Sequence, residues 1–275
     1  MALPERVALS LSKAPMSCGS VQDMIELEPT YQYMTFMTPL SQAKADRLVG
    51  FVSSGLGDGV VVDVGCGWAE LLLQVLAATP AARGVGIDLD EPAIAHGRDL
   101  AAKRGLSGRV ELRATDAKDF DLAADAVICI GASQIWGPPV DANEPIDYES
   151  ALRHIRAALP RGGRLLYGEG IWSAPPTAEA AAPLSGRLDE FVSLGRLVEF
   201  AVAAGFQPVL VAEATTDEWD EFEAGFCARY SHWLLDHPDD PAADEVKDKV
   251  ARQRHSYFNG YRNVLGMAYL GLLAV

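Results

Sequence analysis

Basic charge is scarce in this sequence, long apolar runs are missing, and its cysteines are few and far apart. The 38 Asp and Glu residues face only 23 Lys and Arg, a net charge of −15. Such a field repels a phosphate backbone unless cations gather on one face. The nearest approach to a cluster is Arg252 and Arg254 with Lys247 and Lys249, and acids interrupt it; a solvated helix face accounts for it. Nucleic acid is therefore not the expected partner. No apolar run approaches the ~20 residues that span a bilayer. Met1 to Ser12 carry Glu5 and Arg6 before a short, weak apolar stretch, which makes a poor export signal. Cys18, Cys66, Cys129 and Cys227 form no Cys-x-x-Cys pair, a pattern that fits reduced thiols. The expectation is a cytoplasmic protein with no membrane segment.

What is present is an alternation of strands and helices. Ser41 is placed to cap a helix over 41–53 with an apolar stripe of Ala45, Leu48, Val49 and Val52. Short apolar, β-branched runs at 59–64, 84–88, 109–114, 126–130, 164–168 and 206–213 read as strands. Helical stretches at 68–78, 91–104, 148–159 and 188–204 separate them, the last closed by Gly205. This order implies an α/β fold with a doubly wound, mostly parallel sheet covered on both faces. A single domain is expected: an N-terminal arm or lid at 1–40, a core at 41–215, a helical insertion at 217–260, and a last strand at 263–275.

Three acidic signals follow the strand ends in order. The first is Val61-Val62-Asp63-Val64-Gly65-Cys66-Gly67-Trp68-Ala69-Glu70. The glycines permit a tight turn and close approach of a ligand, and the helix that follows offers free N–H groups. A nicotinamide or flavin nucleotide calls for a third glycine where Glu70 stands. Asp63 would also repel a pyrophosphate, whereas it suits a ligand carrying an ammonium. The second signal is Gly86-Ile87-Asp88-Leu89-Asp90, with Asp88 placed for ribose hydroxyls and Asp90 for capping the next helix. The third is Ala114-Thr115-Asp116-Ala117, where a carboxylate can accept an adenine amino group and the next backbone N–H can meet a ring nitrogen.

In Asp63, Gly65, Gly67, Asp88 and Asp116, in order and at these strand ends, the sequence resembles the class I S-adenosylmethionine-dependent methyltransferases over roughly residues 41–215. Leu159-Pro160-Arg161-Gly162-Gly163 looks like that family's turn before the fifth strand. Ala69 departs from it, since many members carry a third glycine there. The resemblance implies S-adenosyl-L-methionine as cofactor, a seventh strand returning antiparallel between the fifth and sixth, and cofactor contacts from Leu89, Ala117 and Ile130 besides the residues above. The wider pattern looks like bacterial small-molecule and natural-product enzymes of secondary metabolism.

The acceptor belongs beyond the ends of the fourth and fifth strands. Ile130-Gly131-Ala132-Ser133-Gln134-Ile135-Trp136 lacks the Asn/Asp-Pro-Pro-aromatic motif that the family uses on base or amide nitrogens. The acidic cluster of its magnesium-dependent catechol enzymes is missing too, and His232 and His237 have the wrong spacing for two ligands on one helical face, so no metal is expected. Glu169, between two glycines after the fifth strand, is a candidate general base or orienting group. His232 on the insertion is a second candidate base. Trp136 and Trp172, with Gln134, are placed to wall an acceptor. Tyr31 in the arm, with Asp23, Glu26 and Tyr33 near it, is placed to close over it. The expected reaction is metal-independent methyl transfer to a small molecule, with an aromatic or heteroaromatic, indole-like acceptor favoured. Protein or nucleic-acid methylation on the same fold, or a non-catalytic interaction module, stands as the alternative. A homo-oligomer is left open.

Overall fold

A computed structural model describes residues 25–118, 124–138 and 144–275. Seven strands form one sheet in the order β3-β2-β1-β4-β5-β7-β6. They are β1 (Val60–Val64), β2 (Arg83–Asp88), β3 (Val110–Ala114), β4 (Ala126–Ile130), β5 (Arg164–Trp172), β6 (Phe206–Glu213) and β7 (Leu265–Ala274). β1 to β5 run parallel, and β7 returns antiparallel to both β5 and β6. The sheet reverses its strand order between β1 and β4, where open α/β sheets form a crevice.

Strand alternation divides the core into two layers. Val61, Ile128 and Leu166 face a layer that includes α1 (Gln42–Ser53), α2 (Glu70–Ala78) and α3 (Glu91–Lys103). Val62, Val127 and Leu165 face α4 (Tyr148–Ala158) and α5 (Leu194–Ala203). Leu72, Leu73 and Leu76 of α2 are fully buried, each contributing roughly 1.5–3 kcal/mol. The expected caps form: Lys44 N donates to Ser41 Oγ and Ala93 N to Asp90 Oδ1. No helix among the described residues is long and apolar enough to cross a membrane.

Two boundaries differ from the sequence reading. β5 runs four residues beyond Gly168, because β7 continues to pair with it up to Trp172↔Leu265. Glu169 and Trp172 are therefore strand residues, not loop residues. α5 begins at Leu194 rather than near 188, because Ser193 caps it and Val192 accepts a hydrogen bond from Trp172 N.

The insertion consists of α6 (Thr216–Asp236), α7 (Ala243–His255) and one π-helical turn, Ser256–Tyr261. Glu218 joins it to the start of the core. Its carboxylate closes the capping box of α6 with Thr215, accepts from Ser41 N, and pairs with Lys44. Further along, Tyr257 and Arg262 bind Asp220, while Tyr261 and Gln253 bind Glu223.

Candidate functional site

β1 leads through Asp63 into the turn Gly65-Cys66-Gly67. The amides of Gly65 and Cys66 both donate to the Ile87 carbonyl, at 2.9 and 3.1 Å, which fixes the turn to the end of β2. Gly65 has φ +70°, and a Cβ there would lie 2.6 Å from Ala132 Cβ. Gly67 has φ +53°, yet nothing lies within 4 Å of where its Cβ would be. Packing requires the first glycine; the second leaves open space above its backbone where a ligand can approach. Ala69 also adopts a left-handed conformation, with φ 61°, a strain of roughly 1–2 kcal/mol for a residue with a side chain. Glu70 opens α2 and is held by both guanidinium nitrogens of Arg104, at 3.0 and 2.8 Å.

Beside this turn opens a cleft of about 530 Å³, lined from the sheet by Asp63, Gly65, Gly67, Asp88 and Ile130. Phe36, Met37 and Thr38 line it from the segment before α1. A second hollow of about 370 Å³ shares Gly65 and Asp88 and extends past Leu89, Asp116, Ala117 and Gln134. Asp88 thus borders both hollows. Its carboxylate accepts from Gly67 N at 2.8 Å and Asp90 N at 2.9 Å. Asp116 is exposed and accepts from Lys118 N in a tight turn, while Ala117 beside it is buried.

Asp63 differs from Asp88. It is only 4% exposed, and no donor among the described residues reaches its carboxylate. Burial, and then the charge of Asp88, push its pKa up to about 8. A buried carboxyl that faces a cleft without a donor from the chain has acceptor capacity to offer a ligand there. Adjacent to it, burial pushes the Cys66 thiol well above its usual range.

Residues 61–163 match the family model described as a methyltransferase domain. The fold of the core is that of the class I methyltransferases. The chain is 28% identical over 218 residues to the uncharacterised protein YjhP of Escherichia coli strain K12, covering 78% of this chain and 84% of that one. It is 37% identical over 147 residues to the ribosomal protein L11 methyltransferase of Edwardsiella ictaluri strain 93-146, covering 54% of this chain and 44% of that enzyme. The crystal structure of a SAM-dependent methyltransferase from Geobacter sulfurreducens, in complex with S-adenosyl-L-homocysteine, matches at 25% identity with a TM-score of 0.75. That match covers 90% of this chain and 96% of the other.

The methyltransferase core gathers Asp63, Gly65, Gly67, Asp88, Leu89, Asp116, Ala117, Ile130 and Gln134 around the two hollows. The expected aromatic rim is not gathered there. Trp172 is buried at the end of β5, its indole donating to the Leu188 carbonyl and its ring meeting Phe191 edge-on. Trp136 stacks on His154 of α4. Neither lines the two hollows, because each ring is drawn into packing by a neighbour distant in sequence.

Glu169 lies inside the sheet, 2% exposed, and lines neither hollow. His232 is exposed on α6 with its ring 5.2 Å from that of Tyr33. Tyr31 stacks on His96 of α3, with ring centroids 3.6 Å apart, and meets Trp68 edge-on. Trp68 in turn donates to the Thr35 carbonyl, so the arm from Tyr31 to Thr38 is fastened to the glycine turn. Asp23 lies outside the described residues.

The sequence reading missed Phe36, Met37, Thr38, Trp68 and Leu71 as cleft walls. The Met-rich, aromatic composition of the arm was the available signal. Among the described residues, no group of three His, Cys, Asp or Glu side chains could hold a metal ion.

Proposed function

We propose that the chain binds S-adenosylmethionine along the two hollows and transfers its methyl group to a small molecule without a metal. The single observation carrying this reading is the donorless carboxylate of Asp63 in a cleft shared with Asp88. The fit is chemical. An amino-acid ammonium supplies the cation that Asp63 lacks, Asp88 offers acceptor capacity to ribose hydroxyls, and Asp116 and the Ala117 amide suit an adenine edge. The cofactor, when bound, supplies an electrophilic methyl on a sulfonium. The chain's own part is to hold it, exclude water and align the acceptor, which supplies much of the acceleration in an in-line displacement.

The described walls contribute Asp63, Glu70, Asp88 and Asp116 and no Lys, Arg or His. An uncharged or cationic acceptor suits such walls better than a phosphorylated one. Phe36 and Trp68 provide aromatic surface, and for that reason an indole-like or other heteroaromatic acceptor remains the preferred reading. A cytoplasmic location agrees with the unpaired Cys66, Cys129 and Cys227.

Protein methylation is the second reading, favoured by the likeness to the L11 enzymes. The chain spans less than half of that relative's length. Incubation with methyl-labelled cofactor and a panel of heteroaromatic compounds, amines, ribosomal protein and RNA separates the two. Label in the small-molecule fraction supports the first reading; label confined to protein or RNA contradicts it.

A further inference from the structure

Among the described residues, Glu169 is a buried carboxylate with no cation paired to it, and it touches neither hollow. Its partners lie on the segment that follows β4. Ser133 N donates to Glu169 Oε1 at 2.8 Å. Burial pushes the Glu169 pKa up, and its contacts with the backbone and side chain of Ser133 oppose that push. Ser133 is fully buried, and its hydroxyl lies 2.5 Å from that of Tyr167, two residues before Glu169 on β5. Gly131, with φ +64°, starts the segment and donates from its amide to the Gly168 carbonyl at 2.8 Å. Gly131 and Ser133 of the segment are thus held by the backbone of Gly168 and the side chains of Tyr167 and Glu169.

That segment shapes the cleft from behind. Gly131, Ala132, Gln134 and Ile135 line the second hollow together with Leu89 and Asp116. Ala132 also fills the space against Gly65, so a shift of the segment would reach the glycine turn as well.

We propose that Glu169 is a positioning residue: its carboxylate, with Tyr167 through Ser133, sets the 131–135 segment as the wall against which the adenosine half of the cofactor binds. The proposal rests on the reading of the two hollows as the S-adenosylmethionine site. It assigns Glu169 a part in cofactor affinity and none in moving a proton to or from the acceptor. A leucine of similar size would leave the Ser133 amide without an acceptor, whereas a glutamine keeps one acceptor oxygen for it.

The test is calorimetric titration of S-adenosylhomocysteine and of 5′-methylthioadenosine, which lacks the amino-acid end. The proteins are wild type, Glu169→Leu, Glu169→Gln and Tyr167→Phe, each titrated well below its own melting temperature. Glu169→Leu is expected to weaken both ligands by roughly thirtyfold, Glu169→Gln by roughly fivefold, and Tyr167→Phe by roughly threefold, the range of lost buried hydrogen bonds. The loss should be equal for the two ligands, because the wall faces the half that they share. Wild-type affinity in folded Glu169→Leu, or a loss seen with S-adenosylhomocysteine alone, would overturn the proposal. If the leucine variant does not fold, unchanged affinities in both Glu169→Gln and Tyr167→Phe would overturn it equally. Failure of wild type to bind either ligand would instead remove the cofactor reading beneath it.

Discussion

Asp63 and Asp88 lie on neighbouring parallel strands and line the same cleft, yet among the described residues only Asp88 has hydrogen-bond donors, from the amides of Gly67 and Asp90. The unequal pair puts a proton on Asp63. Its folded pKa is raised to about 8 by burial and by Asp88, whereas an exposed aspartate releases its proton near ~4. The unfolded chain therefore deprotonates first. Asp63 carries no penalty below about pH 4, and its penalty grows as pH rises toward 8. Asp63→Asn should stabilise the ligand-free protein by about 2 kcal/mol more near pH 8 than near pH 6, as urea unfolding would read. A gain independent of pH would count against a titrating Asp63.

The same proton should leave when an ammonium arrives. Titration of S-adenosylhomocysteine near pH 7 should show an apparent enthalpy that depends on the buffer's ionisation heat, with close to one proton released. Affinity should rise up to tenfold per pH unit below 8 and level off above it. Equal enthalpies in phosphate and Tris would refute the linkage.

The two glycines of the turn should respond differently to alanine. Gly65→Ala meets both a left-handed backbone and Ala132 at 2.6 Å, so it should lose about 2–4 kcal/mol of stability. Gly67→Ala meets only the backbone term, about 1–2 kcal/mol, but its methyl enters the cleft. Thermal unfolding with and without S-adenosylhomocysteine distinguishes them: Gly67→Ala should lose most of the ligand-induced rise in Tm. Retention of that rise would mean that the open space above Gly67 is not where the ligand passes.

Glu218 should be a stability residue rather than a catalytic one. Burial opposes its ionisation, but Lys44, Ser41 and Thr215 hold its pKa down to about 2. Its contribution is present above the unfolded value, ~4.5, and is lost as pH falls toward 2. Glu218→Ala removes a capping box and a buried ion pair together and should cost about 2–4 kcal/mol at neutral pH. A denaturation midpoint within error of wild type would show that the insertion is held by apolar packing alone.

The lining of the two hollows was legible in the sequence where its residues sit at fixed offsets from strand ends. Asp63, Gly65, Gly67, Asp88 and Asp116 each follow an apolar run, and a parallel sheet brings such ends to one edge. The surroundings of the aromatic residues were not. Trp136 and Trp172 were read as rim residues from position alone, but His154, Leu188 and Phe191 claim their rings. Glu169 was read as following a strand that ended at Gly168, and only the pairing with β7, a hundred residues later in the chain, extends that strand past it. The walls supplied by Phe36, Met37 and Thr38 depend on contacts from Trp68 to Thr35 and from Tyr269 to Thr38 and Pro39. No local periodicity carries that information.

The most direct test of the central claim is calorimetric titration of S-adenosylmethionine and S-adenosylhomocysteine into wild type and Asp88→Ala. Saturable one-to-one binding to wild type, weakened at least ~30-fold in the variant as expected for lost charge-assisted hydrogen bonds, is the predicted result. Absence of binding to folded wild type, or equal binding to both proteins, would contradict the assignment of this cleft to the cofactor.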